Sequence, residues 1–168
     1  MLNYDIQAGN ILFYTSHSWA DKLIQKFTNS EYTHVAIALD GEQCIAATTA
    51  GVLVQPINSP ADVWSYRAHA IDNTDAHLQR GMRWLRGQLG TKYSWKDIIS
   101  QVTSKLFGGA YVYSHREFDC SELATRFLIN AGDFELPDDI GEYPNEVTPG
   151  SLHTSAFKMQ VYRKVIVG

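Results

Sequence analysis

The chain carries two cysteines, Cys44 and Cys120, and six histidines, His17, His34, His69, His77, His115 and His153. These side chains are suited to attacking a carbonyl and to moving the proton that the attack releases. Cys120 stands in "REFDCSELATRFLINAG" (116–132), between an aspartate and an apolar-periodic run. Asp119 is a good N-cap and Glu122 follows at capping-box spacing, which sets Cys120 at the first helical position. A thiolate there faces unpaired backbone N–H groups and the positive end of the helix dipole, which lowers its pKa. The carboxylates of Asp119 and Glu122 oppose that effect, although capping engages both. On helix position alone a structural role is the stronger reading, because cysteine is among the most buried residue types and most reduced cysteines do no chemistry. Spacing alone leaves both readings open.

A nucleophile needs a base. His34 opens "HVAIAL", an otherwise apolar strand, where a buried imidazole needs hydrogen-bond partners. It is either a satisfied core residue or a catalyst. His77 fits a first-turn surface position, His17 precedes a helix cap, and His115 lies in the loop before Cys120. His69 and His153 fall in segments without a distinguishing pattern. No His or Cys pair has ligand spacing on one element, so no metal site is expected and no cofactor is implied. Cys44, inside an apolar strand, fits a structural role, and a redox or metal-binding use of the two cysteines has little support.

The elements that position these residues follow from periodicity. "NILFY" (10–14) is a short apolar strand, and "SWADKLIQKFTNS" (18–30) begins a helix at Ser18 with Asp21 at capping-box spacing. "THVAIALDGEQCIAATTAGVLVQPI" (33–57) gives two or three strands, with "LDGEQ" as the first turn and "TAGV" as the next bend. "TDAHLQRGMRWLRGQLG" (74–90) is an amphipathic helix with Leu78, Met82, Leu85 and Leu89 on one stripe and Gly90 at the C′ position. "SWKDIISQVTSKLFGG" (94–109) is a second helix. "DCSELATRFLINAG" (119–132) is a third, with Leu123, Ala124, Phe127, Leu128 and Ala131 facing a core and Gly132 closing it. "FKMQVYRKVIVG" (157–168) alternates as a final strand. Strands and helices are segregated and the hairpin is antiparallel, which predicts an α+β fold with helices packed on an antiparallel sheet.

Bulk properties bound the function. The 168 residues suffice for one self-supporting domain, 1–168, with no repeat and no Ser-, Gly- or Pro-rich linker. Net charge is −4 without a basic cluster, so no nucleic-acid partner is expected. No apolar run is long enough for an integral membrane segment. The N-terminus lacks the basic and apolar regions of a signal peptide, so the expected location is cytoplasmic, with action elsewhere only through another delivery factor. Two cysteines in that setting are expected to be reduced thiols.

Taken together, the motifs resemble those of NlpC-type papain-like cysteine hydrolases. "FDCSEL" resembles their nucleophile segment, and "HVAIALDGEQCIAA" their histidine strand and the strand after it. His34 precedes Cys120, an order that resembles the circularly permuted branch containing YiiX-like bacterial proteins and relatives of lecithin:retinol acyltransferase. "IQAGNILFY" is similar to that branch's opening Gly-Asp-strand motif, with Asn10 replacing Asp. "AGVLVQPI" is similar to its Gly-Val turn and strand, "GTKYSWKDI" to its Gly-x-x-Tyr segment, and "VTPGSLHTSAF" to its Thr-Pro element. The resemblance covers most of the chain in the right order.

The resemblance implies a papain-like fold, Cys120 as nucleophile, and His34 as base and then acid through a thioester. It also implies a backbone oxyanion site near Cys120, with Tyr93 as a candidate donor; a core tyrosine is the competing reading of Tyr93. One departure stands out. In the family a polar residue on the strand after the histidine orients the imidazole, and that position is Ala46. Thr48 and Cys44 share its face by alternation, so Thr48, the backbone or a water is the possible substitute. Loss of the orienting residue costs on the order of 10⁴ in turnover in well-studied triads.

The expected function is therefore a thiol hydrolase, amidase, peptidase or esterase, or an acyltransferase, of a bacterium or a phage. Its substrate would be a cell-wall peptide or an acyl-lipid, and the lack of an export signal or wall-binding domain weighs against the peptide. The helix "SWKDIISQVTSKLF" and "YVYSH" are an insertion that either walls an apolar groove or adds core. The alternative is a catalytically weak or inactive binding module that keeps the cleft, with Ala46 as its sequence signature.

Overall fold

The computed structural model describes residues 6–15, 25, 30–57, 62–64, 74–93, 117–131, 144, 147–158 and 162–166. The chain is α+β. Its main sheet joins β1 (Ile11–Tyr14), β2 (His34–Ala38), β3 (Gln43–Thr48), β4 (Gly51–Pro56), β5 (Asp62–Trp64) and β8 (Tyr162–Ile166) in the order β4-β3-β2-β1-β5-β8, every neighbouring pair antiparallel. The described helices are α1 (Thr74–Gly87), α2 (Cys120–Ala131) and α3 (Pro149–Lys158). Two short strands, β6 (Lys92–Tyr93) and β7 (Glu117–Phe118), pair in parallel.

The period of two sorts the sheet into two faces. Ile11, Phe13, Val35, Ile37, Ile45 and Ala47 point to the helices and form one core with Met82, Leu85, Leu123, Phe127 and Leu128. Leu12, Ala36, Ala38, Cys44 and Ala46 form a second apolar cluster on the other face, with Tyr14 packed against it. α1 and α2 approach closely because Gly81 has no Cβ; one placed there would meet the Ala131 side chain at 2.6 Å. Arg80 Nε ties the pair further by donating to the Asn130 carbonyl at 2.8 Å.

The connections explain the register. Between β2 and β3, Asp40 Oδ1 accepts from the N–H groups of Glu42 and Gln43 at 2.8 and 2.7 Å, so the Asp-Gly turn closes through a side chain. Between β3 and β4, Gly51 has a φ of 109°, and a Cβ there would meet the Thr91 carbonyl oxygen at 2.8 Å. Only glycine suits that turn.

Two expectations need correction. α1 ends at Gly87 rather than against Gly90. Tight turns from Gln88 to Leu85 and from Leu89 to Arg86 follow, and the Gly90 N–H donates to the Val52 carbonyl on β4 at 2.8 Å. Gly90 keeps the left-handed φ, 83°, of a helix-ending glycine, but its N–H docks on the sheet rather than on the helix, and Leu89 is 43% exposed rather than on the buried stripe. The Thr-Pro element is a helix, α3, that periodicity did not reveal. Thr148 caps it: the Ser151 N–H donates to Thr148 Oγ1 at 3.1 Å, and the Thr148 N–H to Ser151 Oγ at 2.9 Å. Pro149 takes the first position, where its missing N–H is harmless. The expected helix over 94–109, the "YVYSH" stretch and Gly132 lie outside the described residues, as does the expected helix over 18–30 apart from Gln25 and Ser30.

Candidate functional site

The start of α2 is fixed by Asp119. Its buried carboxylate Oδ1 accepts from the Glu122 N–H at 2.7 Å and from the Ser121 hydroxyl at 2.9 Å, and its carbonyl accepts the first helical bond from Leu123 at 3.1 Å. Glu122 is also buried and pairs with Arg126 Nε at 2.7 Å, one turn along. Burial pushes the Asp119 carboxyl up to about 6, against hydrogen bonds that favour its ionised form.

Cys120 is the first residue of α2 and is 5% exposed. Its sulfur receives the backbone N–H of Val35, one residue past His34 on β2. The printed β2–β3 register runs from Ala38↔Cys44 to Ala36↔Ala46, so this N–H lies one residue beyond the last of those pairs. Cys120 belongs to the helix-side core with Val35, Ile37, Leu123 and Phe127. The helix-start N–H groups of Cys120 and Ser121 act on the sulfur as the sequence implied, drawing its pKa down. Burial outweighs them, and together with the Asp119 charge it pushes the thiol up to about 12. The expected low thiol pKa is thus reversed: the first turn of this helix is enclosed, and its nearest charge is negative.

His34 begins β2 and is half-buried. The thiol meets the backbone N–H of Val35, so Cys120 lies against the start of β2, one residue past His34. Alternation sends the imidazole to the face of Leu12, Ala36 and Ala46, beside its cross-strand partner Tyr14. The rings of Tyr14 and His34 lie 5.9 Å apart between centroids, tilted by 38°. Ala46 is fully buried opposite Ala36. Thr48 ends β3; its hydroxyl donates to the Gly51 carbonyl at 3.0 Å and accepts from the Ala50 N–H at 3.2 Å, which secures the β3–β4 turn. Tyr93 pairs through its backbone with Phe118, two residues before Cys120. His77 lies in the first turn of α1. His17, His69 and His115 fall outside the described residues.

Two aromatic neighbours were not legible from spacing. His153, on α3, packs edge-on to Phe13 at 5.0 Å and over Tyr32 at 4.2 Å, on the helix side of the sheet. Tyr14 lies on the other side, against His34. The alternation in "NILFY" gives the face of Tyr14, but only the β1–β2 register gives its neighbour.

No family model and no curated protein matches the sequence. Among solved structures, a crystal structure described as the metalloprotein YiiX from Escherichia coli O157:H7, DUF1105, matches with a TM-score of 0.58 at 17% sequence identity. The match covers 98% of this chain and 89% of that one. The fold is YiiX-like. A YiiX-like α+β fold agrees with the expected sheet and helix arrangement. Among the described residues, no helix is long and apolar enough to cross a membrane.

Proposed function

We propose that this YiiX-like chain is a thiol hydrolase or acyltransferase of the permuted NlpC type, acting on the amide or ester carbonyl of a peptide or acyl-lipid substrate. The observation that carries this reading is the Cys120 sulfur, set at a helix start and held by the N–H next to His34. With the thiol near 12, the resting nucleophile is neutral. Cys120 Sγ therefore attacks the carbonyl carbon as its proton passes to His34, without a pre-formed ion pair. Collapse of the tetrahedral intermediate expels the leaving group, which takes that proton from His34. Water or an acceptor then attacks the thioester, with His34 again as base. The oxyanion site is assigned to backbone N–H near Cys120, with Tyr93, next to Phe118 in the β6–β7 pair, as a further donor.

A metal is not part of this scheme. Among the described residues, no group of three or more His, Cys, Asp or Glu side chains is placed to hold a metal ion.

The second reading is a binding module that keeps the cleft without the chemistry. It is favoured by Ala46 at the orienting position and by the raised thiol. An activated ester such as p-nitrophenyl acetate separates the two. The hydrolase reading expects a burst with one acyl group on Cys120, slowed about 10²–10⁴-fold in His34→Ala. A binding module gives no acyl-Cys120, or acylation indifferent to His34, and either result sinks the hydrolase reading.

A further inference from the structure

The helix side of the sheet has an exposed corner where β4, the edge strand, meets the chain leaving α1. Arg80, Arg83 and Arg86 recur every third residue along α1, and all three are exposed. Residues at that spacing are neighbours on a helix surface, so the fold gathers charges that the sequence keeps apart. From Gln79 to Thr91 the chain holds these three arginines and no acid, a charge of +3 within a protein of −4. Arg80 Nε donates to the Asn130 carbonyl at 2.8 Å, which fixes the side chain without neutralising it. Arg83 and Arg86 form no ion pair among the described residues. Lys92 lies opposite Glu117 in the β6–β7 register, so those two charges offset each other.

The arginine row leads to two of the three large apolar side chains that the described residues expose. Leu89 is 43% exposed just past α1, and Val54 is 40% exposed on β4. The Gly90 N–H donates to the Val52 carbonyl at 2.8 Å, and the Val52 N–H to the Thr91 carbonyl at 2.8 Å. Val54 stands two residues on from Val52 and, by alternation, on the same helix side of the sheet. Two strand residues span roughly 7 Å, so Leu89 and Val54 belong to one corner. A single exposed leucine or valine is ordinary. Two beside a basic row are the composition of a surface that meets both headgroup charge and acyl chain.

We propose that this corner, the exposed row of α1 with Leu89 and Val54, binds the surface of an anionic lipid bilayer. The arginines meet the phosphate charge, and the two apolar side chains enter the acyl boundary beside them. The chain rests on the bilayer rather than spanning it. Nucleic acid or an acidic protein would use the arginines but leave Leu89 and Val54 without an apolar partner. β6 follows this corner directly and pairs with β7 just before Cys120, which links the surface to the start of α2.

The test is co-sedimentation of the full chain with vesicles of phosphatidylcholine, with or without phosphatidylglycerol. Binding is expected to the phosphatidylglycerol vesicles alone, weakening as salt screens the arginines. Each charge near an anionic surface contributes about fivefold in affinity, so Arg83→Gln with Arg86→Gln should lower it roughly 25-fold. Leu89→Ser with Val54→Ser leaves every charge in place and should lower it about three- to tenfold. Should the strand substitution unfold the chain, Leu89→Ser alone decides, with about a two- to threefold loss expected. No binding to phosphatidylglycerol vesicles overturns the proposal, as does binding unchanged in the arginine variant. Binding that survives the Leu89→Ser, Val54→Ser pair, with equal affinity for a DNA duplex or polyglutamate, also overturns it, because the row is then a general anion surface. Vesicle binding needs no turnover, so it and the Cys120 acylation test fail or succeed separately.

Discussion

The two cysteines are both buried, and burial raises both thiols, but they are held by different kinds of donor. Cys44 sits mid-strand and is fixed by side chains, the Tyr14 hydroxyl and Gln55. Cys120 sits at a helix start and is fixed by backbone N–H groups of Val35, Ser121 and its own residue, with a carboxylate against it. Side-chain donors can rotate away or be exchanged during evolution at little cost to the fold. Backbone donors cannot, because they belong to β2 and α2 themselves. The contrast marks Cys44 as an anchor for a neighbour and Cys120 as a sulfur whose place is set by the architecture.

The largest test of that contrast is removal of each sulfur. Cys120→Ala should abolish the acyl burst, whereas Cys44→Ala should keep it within a few-fold, both read by intact-protein mass spectrometry. Equal loss in the two variants would break the distinction.

Asp119 is the next point of leverage, because it caps α2 and opposes the Cys120 thiolate at once. Asp119→Ala should lose about 0.5–2 kcal/mol of stability through the missing cap. Asp119→Asn keeps an acceptor for the Glu122 N–H and removes the charge, so the Cys120 thiol should titrate lower in site-resolved alkylation. The carboxyl titrates near 6 in the folded chain against an ordinary value of 3.8, so the folded state binds this proton more tightly. The stability it contributes is therefore full below about pH 3.8 and is lost as the pH rises through about 6. Denaturant melts of Asp119→Asn should lack that component; an identical pH dependence in wild type and variant would rule it out.

The smallest effect is expected at Thr48. Its hydroxyl serves the β3–β4 turn, so Thr48→Val should cost about 1 kcal/mol in stability and leave acylation unchanged. A drop in acylation of tenfold or more would instead make Thr48 the substitute for the missing orienting residue.

How much of this was legible depended on how local each signal is. The cap at Asp119, the helix after Cys120 and the Asp-Gly turn at 40–41 are carried by side chains within a few residues of one another, and the sequence shows them directly. The meeting of Cys120 with the strand of His34 entered through motif order, because nothing local links residues so far apart. The end of α1 was misplaced because Gly90 answers to Val52 on β4 rather than to its own helix. β5 has only three residues, too short for alternation to register. The height of the Cys120 pKa was invisible because it depends on enclosure by the sheet, whereas sequence shows only the helix start. Tyr14 was missed for the same reason: its partners are opposite it and across β2, not beside it in sequence.

The strand order has a consequence for how the protein is made. β5 pairs on one side with β1 and on the other with β8, through Asp62↔Ile166 and Trp64↔Tyr162. On the ribosome, that second edge stays open until residues 162–166 emerge, long after β1 to β5 are available to pair. An open strand edge is a template for association with another chain. Docking of β8 moves that edge from β5 to β8, so the last segment to emerge decides which strand the finished sheet presents at that end.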